Sequence, residues 1–196
     1  MAITLLLIRH AEHVDFNLRL SGRREGVALS EHGRDQAAAL AERLATERID
    51  RVEASPLDRT RATAEALGPV VVEPALIEID MGEWTGRALD SFGDDQAWRA
   101  WNEHRGTARM PGGESMAEAQ ARIVAHIERT ARTYDEQTIA MVSHSDMIRA
   151  AIAHALGLSL DNLLRFDIEP ASVSRLVAGD WGMRVVSINE GVTHHG

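Results

Sequence analysis

Residues 3–13 read ITLLLIRHAEH. Six residues that are apolar or favour β structure, Ile3 to Ile8, run straight into Arg9 and His10. A short continuous apolar run predicts a strand covered on both faces, the kind found in parallel sheets. The run has no basic leader and stops at an arginine, so it reads as a strand and not as a secretory signal. An arginine and a histidine at the end of a buried strand are unusual company, and the remaining sequence repeats the arrangement.

Strand-like and helix-like segments alternate along the chain. After a polar, glycine-containing stretch at 11–28, residues 29–49 show helical spacing at Ala37, Leu40, Ala41 and Leu44, with Ser30 as N-cap. Residues 50–55, DRVEAS, predict a second strand. Residues 55–68 predict a helix with Ser55 as cap, Pro56 at the first helical position and Gly68 past the end. PVVVEP at 69–74 is a third strand. The stretch 76–113 carries Gly, Trp and charges with weak periodicity. Residues 115–134 predict a helix opened by a Ser115–Glu118 capping box. TIAMVSH at 138–144 is a fourth strand, followed by a helix at 146–157 closed by Gly157. Residues 172–189 predict two strands joined by a Gly-Asp-Trp-Gly turn.

This alternation predicts an α/β fold, a three-layer αβα sandwich with a mostly parallel sheet and an antiparallel C-terminal edge. With 196 residues and neither repeat nor linker, one domain over 1–196 is expected, with 84–113 as a candidate lid segment. No apolar run reaches the roughly 18 residues a membrane helix needs, and a cytoplasmic chain is expected. There is no cysteine, which excludes disulfide and thiol chemistry. The net charge of −9 argues against nucleic acid, whose phosphates need a basic surface. A small anion is still compatible, since screening limits surface repulsion to about 8 Å, provided a local pocket is positive. Every basic residue is an arginine.

Such a pocket follows from topology. Arg9 and His10 end one strand, His144 ends another, and Arg59 lies in the first turn of the helix after VEAS. In open parallel sheets ligands bind beyond the carboxyl ends of the strands. If these strands are neighbours, two arginines and two histidines converge there. Arginine forks match phosphate oxygens, helix N-termini add amide donors, and a neutral histidine is a competent nucleophile. Glu73, Glu78, Asp80 and Glu83 are all spaced to supply an acid.

The sequence resembles the histidine phosphatase superfamily, the phosphoglycerate-mutase-like enzymes. LLLIRHAE is similar to their Arg-His-Gly signature, with Ala11 at the glycine. SPLDRTRATA resembles the helix carrying a second phosphate-binding arginine, LIEIDMGEW with TG the acidic segment, and PGGES and MVSHSD two further segments, all in the family's order. The resemblance implies that His10 is the nucleophile that becomes phosphohistidine and that Glu78 is the proton donor. It implies that Arg9, Arg59 and His144 hold the phosphoryl oxygens, with Asn17 and Ser21 facing phosphate or substrate. No metal and no cofactor are implied. Two departures stand out: Phe16 occupies the place of a usual asparagine, with Asn17 one residue later, and Ser145 replaces the glycine after the second histidine, where it is expected to cap the next helix.

The expected function is metal-independent hydrolysis of a small phosphomonoester. A phosphoglycerate-type mutase and a non-catalytic phospho-ligand-binding regulator are the alternatives; the mutases of the family it resembles tend to be longer, with insertions that close the site, so the resemblance implies that the short 84–113 segment favours hydrolysis. A homodimer is compatible with the sequence. Trp98 and Trp101 are expected to pack in the core, and Arg105 or Arg109 are candidates to touch a substrate anion. The His10–His13 spacing is read as no zinc site, because zinc wants a full tetrahedral set. Glu42, Arg43, Glu47 and Arg48 are read as solvated helix surface, and His194 and His195 as a loose tail.

Overall fold

The structure is a computed structural model that describes residues 1–191; His194 and His195 lie outside the described residues. Six strands form one sheet: β1 (Ala2–Arg9), β2 (Arg51–Ala54), β3 (Val70–Val72), β4 (Thr138–Ser143), β5 (Val173–Gly179) and β6 (Gly182–Glu190). Their order is β3-β2-β4-β1-β5-β6. The first four run parallel, while β5 is antiparallel to β1 and to β6. The sheet is thus mostly parallel with an antiparallel C-terminal side.

Successive side chains of a strand point to opposite faces, and here both faces are covered. Ile3, Leu5 and Leu7 of β1, with Ile139 and Met141 of β4, pack on one side against α4 (Met116–Thr133) and α5 (Ser145–Leu156). Leu6, Ile8, Ala140 and Val142 pack on the other against α1 (Glu31–Leu44) and α2 (Asp58–Glu65). Leu5 to Ile8 are all essentially inaccessible, each burial contributing about 2 kcal/mol. A strand buried on both faces is not held in register by an apolar and polar alternation. What fixes β1 is its polar end: sliding one residue would draw Arg9 into the core without partners, a costly burial. Arg9 pairs with Ser143, and the His10 amide donates to the Ser143 carbonyl at 2.9 Å.

Two helix starts differ from expectation. Ser30 caps α1 by accepting from the Gly33 amide, and the Ser115–Glu118 capping box opens α4, both as expected. Ser55, however, does not cap α2, which begins at Asp58 behind Leu57. The Ser55 hydroxyl is fully buried and lies 2.8 Å from His144 Nε2 instead. Likewise Ser145 does not cap α5; His144 holds the N-cap position and Ser145 is the first helical residue.

The helix surface at 42–48 also needs correction. Arg43 reaches the backbone carbonyl of Glu190 and its carboxylate, and Glu47 receives both Nη groups of Arg175 at 2.7 and 2.5 Å. These pairs tie the end of α1 to β5 and β6. Only Glu42 and Arg48 of that group stand exposed. The weakly periodic stretch after Leu76 contains short 3₁₀ turns and α3 (Gln96–Glu103). Trp101 is 1% exposed and Trp84 2%; Trp84 meets Trp101, Phe92 and Trp98 edge-on, the last two stacked at 4.4 Å. No helix of the described residues is long and apolar enough to cross a membrane.

Candidate active site

The strand order β2-β4-β1 sets three carboxyl ends side by side. β1 delivers Arg9 and His10. Its neighbour β4 delivers His144, whose ring meets that of His10 edge-on with centroids 5.2 Å apart. β2 leads through Ser55 into α2, where Arg59 lies in the first turn, only 2% exposed. The four residues expected to converge are therefore brought together.

His10 is 4% exposed, and its Nδ1 sits 2.8 Å from the Ala11 carbonyl. A carbonyl accepts, so Nδ1 carries the proton and Nε2 keeps a free lone pair. Burial, then the charges of Arg59 and Arg9, hold this imidazole neutral well below the ordinary histidine range. His144 is fully buried. Its Nδ1 accepts from Arg59 Nη2 at 3.3 Å, which leaves the proton on Nε2 for Ser55. Burial and the same arginines keep it neutral too.

Both arginines are held at one edge and left free at another. Arg59 Nη2 donates to the Gly22 carbonyl at 2.6 Å, while Nε and Nη1 are buried without partners. Arg9 Nη1 donates to the Ile168 carbonyl at 2.6 Å, its Nε is buried without a partner, and its guanidinium lies 5.5 Å from the Phe16 ring centroid. Desolvated guanidinium groups with unused donors are primed for an anion. Gly22 has φ +49°, and a Cβ there would stand 3.0 Å from Met81, so glycine lets the loop approach closely enough to fix Arg59.

Among the four acids left open by spacing, geometry selects Glu78. Glu73 faces His126 at 3.7 Å and accepts from the Ala75 amide, Asp80 pairs with Arg23, and Glu83 is exposed; none of them lines the cavity. Glu78 does line it, 9% exposed. One oxygen accepts from the Ile79 amide at 2.9 Å, and the other lies 3.8 Å from His144 Nδ1. Burial and then the negative charge of Asp146 push the Glu78 carboxyl up to about 7, against the pull of Arg59 and Arg9. Arg23 holds the segment by donating to the Glu78 carbonyl at 2.8 Å. Gly82, φ +51°, lets it press on 111–113, where a Cβ would fall 2.1 Å from the Pro111 carbonyl oxygen.

The 11–28 loop closes one side. Asn17 adopts φ +57° and stands exposed at the cavity mouth. Ser21 also lines the cavity and donates to Asp15 at 3.3 Å. His13, considered in the sequence only for its spacing from His10, lies in the same wall with ring centroids 5.2 Å from His10, its pKa lowered by burial and by Arg59 to about 4. Arg19 was not singled out in the sequence; it borders the mouth, donates to the Gly86 carbonyl at 3.2 Å and has no carboxylate partner among the described residues. No sequence signal distinguishes it from other loop arginines. Ser145 borders the floor, and its Oγ is buried without a partner.

The cavity measures about 180 Å³, below the usual 300–1,000 Å³ of drug-sized ligand sites. From the 84–113 segment only Leu89 lines it, among the described residues. Neither Arg105 nor Arg109 does: Arg105 is 6% exposed and bound to Asp146, and Arg109 pairs with Glu118 at 2.5 Å. Among the described residues, no three or more His, Cys, Asp or Glu side chains are grouped to hold a metal ion.

The model of the histidine phosphatase superfamily (branch 1) matches residues 5–191. The chain is 34% identical over 184 residues to phosphoserine phosphatase 1 of Hydrogenobacter thermophilus, covering 88% of this chain and 85% of that one. It is 31% identical over 182 residues to a probable phosphoglycerate mutase, GpmB, of Erwinia tasmaniensis, covering 89% and 84%. The native structure of a mycobacterial glucosyl-3-phosphoglycerate phosphatase superposes with a TM-score of 0.86 at 26% identity, covering 97% of this chain and 100% of that one.

Proposed function

The chain belongs to the histidine phosphatase superfamily, and from that premise we propose that it hydrolyses a small phosphomonoester through a phosphohistidine on His10. The observation that carries this reading is the His10 tautomer: Nδ1 is tied to the Ala11 carbonyl, so the Nε2 lone pair is free in a cavity whose arginines hold unused donors.

In the first step Nε2 of His10 attacks phosphorus and the bond to the leaving alcohol breaks. Protonated Glu78 gives its proton to that alkoxide oxygen. Arg9 and Arg59 hold the non-bridging oxygens through the donors left free, while His144, whose unprotonated Nδ1 accepts from Arg59, fixes that guanidinium against the phosphoryl group. In the second step water attacks the phosphohistidine, Glu78 takes the water's proton, and phosphate leaves with His10 restored. Asn17 and Ser21 line the approach from the loop side.

Two features bear on substrate. A cavity of about 180 Å³ suits a phosphoryl group with a short leaving group. Once Arg9 and Arg59 serve the phosphoryl oxygens, Arg19 is the cation left at the mouth without a carboxylate partner among the described residues, which favours an alcohol bearing a second anionic group. Hydrolysis rather than phosphoryl transfer to a second hydroxyl is supported by exposed Asn17 and Arg19 at the rim, which leave the site open to water.

The test is release of inorganic phosphate from a panel of phosphorylated metabolites, run beside His10→Ala and with 3-phosphoglycerate isomerisation followed in parallel. Phosphate release lost in His10→Ala supports the reading. Isomerisation without net release moves the assignment to a mutase. Turnover that survives His10→Ala sinks the nucleophile.

A further inference from the structure

Buried polar atoms almost always find partners. Seven side-chain atoms among the described residues do not, and four of the seven, Arg9 Nε, Arg59 Nε, Arg59 Nη1 and Ser145 Oγ, belong to three residues that line one cavity. The two guanidinium groups are accounted for by the phosphoryl oxygens. The serine is not accounted for by the fold. It stands at the first position of α5, where His144 already holds the N-cap place, and its hydroxyl reaches neither a first-turn amide nor a carbonyl. Serine hydroxyls normally bond to nearby backbone, so an idle, buried one beside His144 needs a ligand to complete it.

We propose that the Ser145 hydroxyl is a direct ligand of the phosphoryl group, donating to a non-bridging oxygen alongside Arg9 and Arg59. The proposal rests on the phosphatase reading above and deepens it by naming a further catalytic residue. Its chemistry differs from that of the arginines. A hydroxyl is neutral, so it adds a donor without tightening the grip on the released phosphate by another full charge. It also rotates about one bond, so it follows its oxygen as phosphorus moves from the ester to His10 Nε2 and then to water. Donors of this kind count most as charge develops on the transferring group.

The experiment compares wild type, Ser145→Ala and Ser145→Asp. Turnover of a phosphomonoester is measured, together with thermal unfolding with and without inorganic phosphate and orthovanadate. A hydrogen bond to a charged group implies that Ser145→Ala lowers kcat/KM about ten- to a hundredfold. Its unfolding temperature without ligand should stay level or rise, because a buried hydroxyl with no partner has been removed, while the rise caused by phosphate and vanadate shrinks. Ser145→Asp should fold, since a carboxylate suits a helix N-terminus, yet lose both the ligand-induced rise and turnover by charge repulsion.

Unchanged kcat/KM and unchanged ligand-induced stabilisation in Ser145→Ala overturn the proposal and leave the phosphatase reading standing. Full phosphate binding by Ser145→Asp overturns it as well, because the side chain then points elsewhere. A wild type that neither turns over a phosphomonoester nor is stabilised by phosphate or vanadate overturns both.

Discussion

Arg105 donates to Asp146 across 2.9 Å, and that part-buried pair ties the 84–113 segment to the helix that starts beside His144. The charge of Asp146 is in turn the second cause, after burial, of the raised Glu78 carboxyl. The segment that offered candidate arginines for a substrate anion instead uses Arg105 to hold the acid whose charge raises the Glu78 carboxyl.

Asp146→Asn removes that negative charge, so Glu78 should lose its proton at lower pH. The expected outcome is an alkaline limb of the kcat/KM profile shifted toward acid from its position near 7, with the substrate preference unchanged. An alkaline limb that stays in place would dissociate Asp146 from the acid.

Glu78 itself gives a stability effect of definite sign. Its carboxyl is near 7 when folded against an ordinary 4.5, so the folded protein keeps a proton that the unfolded chain has already given up. This group therefore lowers stability as pH rises from about 4.5 through about 7. Glu78→Gln should abolish turnover yet raise the urea midpoint at pH 8, with little change at pH 4.5. A lower midpoint at pH 8 would contradict the buried acid.

The histidines act in the opposite sense. His10 and His144 stay neutral well below 6.5, and His13 down to about 4. Once pH falls below about 6.5 the unfolded chain takes up protons that the folded one refuses. Each such histidine costs up to about 1.4 kcal/mol per pH unit. Urea midpoints in a Glu78→Gln background, which removes the opposing group, should fall between pH 7.5 and pH 5, and His13→Gln should flatten that fall. Equal slopes with and without His13 would argue that it is not held neutral.

Arg59→Lys keeps the charge and loses the fork. One Arg59 nitrogen serves Gly22 and His144, leaving two donors for phosphate; a lysine, as a point charge, cannot do both. The expected loss is about 10² to 10³ in kcat/KM, the scale for removing one preorganised donor. Steady-state kinetics close to wild type would show that the second guanidinium edge is not used.

How much of this was legible beforehand differs residue by residue. Arg9, His10, Arg59 and His144 could be placed at one edge of the sheet because parallel strands present their carboxyl ends together, and β2, β4 and β1 are neighbours. The capping box at Ser115 was readable because its two residues lie three apart in the chain. Ser55 was misread as a cap because its partner, His144, is remote in sequence. Arg43 and Glu47 looked like free surface for the same reason, since their partners are Glu190 and Arg175.

The sequence alone determined the αβα layering and the edge where chemistry collects, because strand periodicity, capping and the order of strands and helices are local properties of the chain. Only the tertiary structure decided which of four nearby acids is desolvated, which nitrogen of His10 is free, and that Arg105 serves Asp146. Those outcomes depend on burial and on hydrogen-bond partners dozens of residues away, and an electrostatic environment exists only once the chain has closed around it.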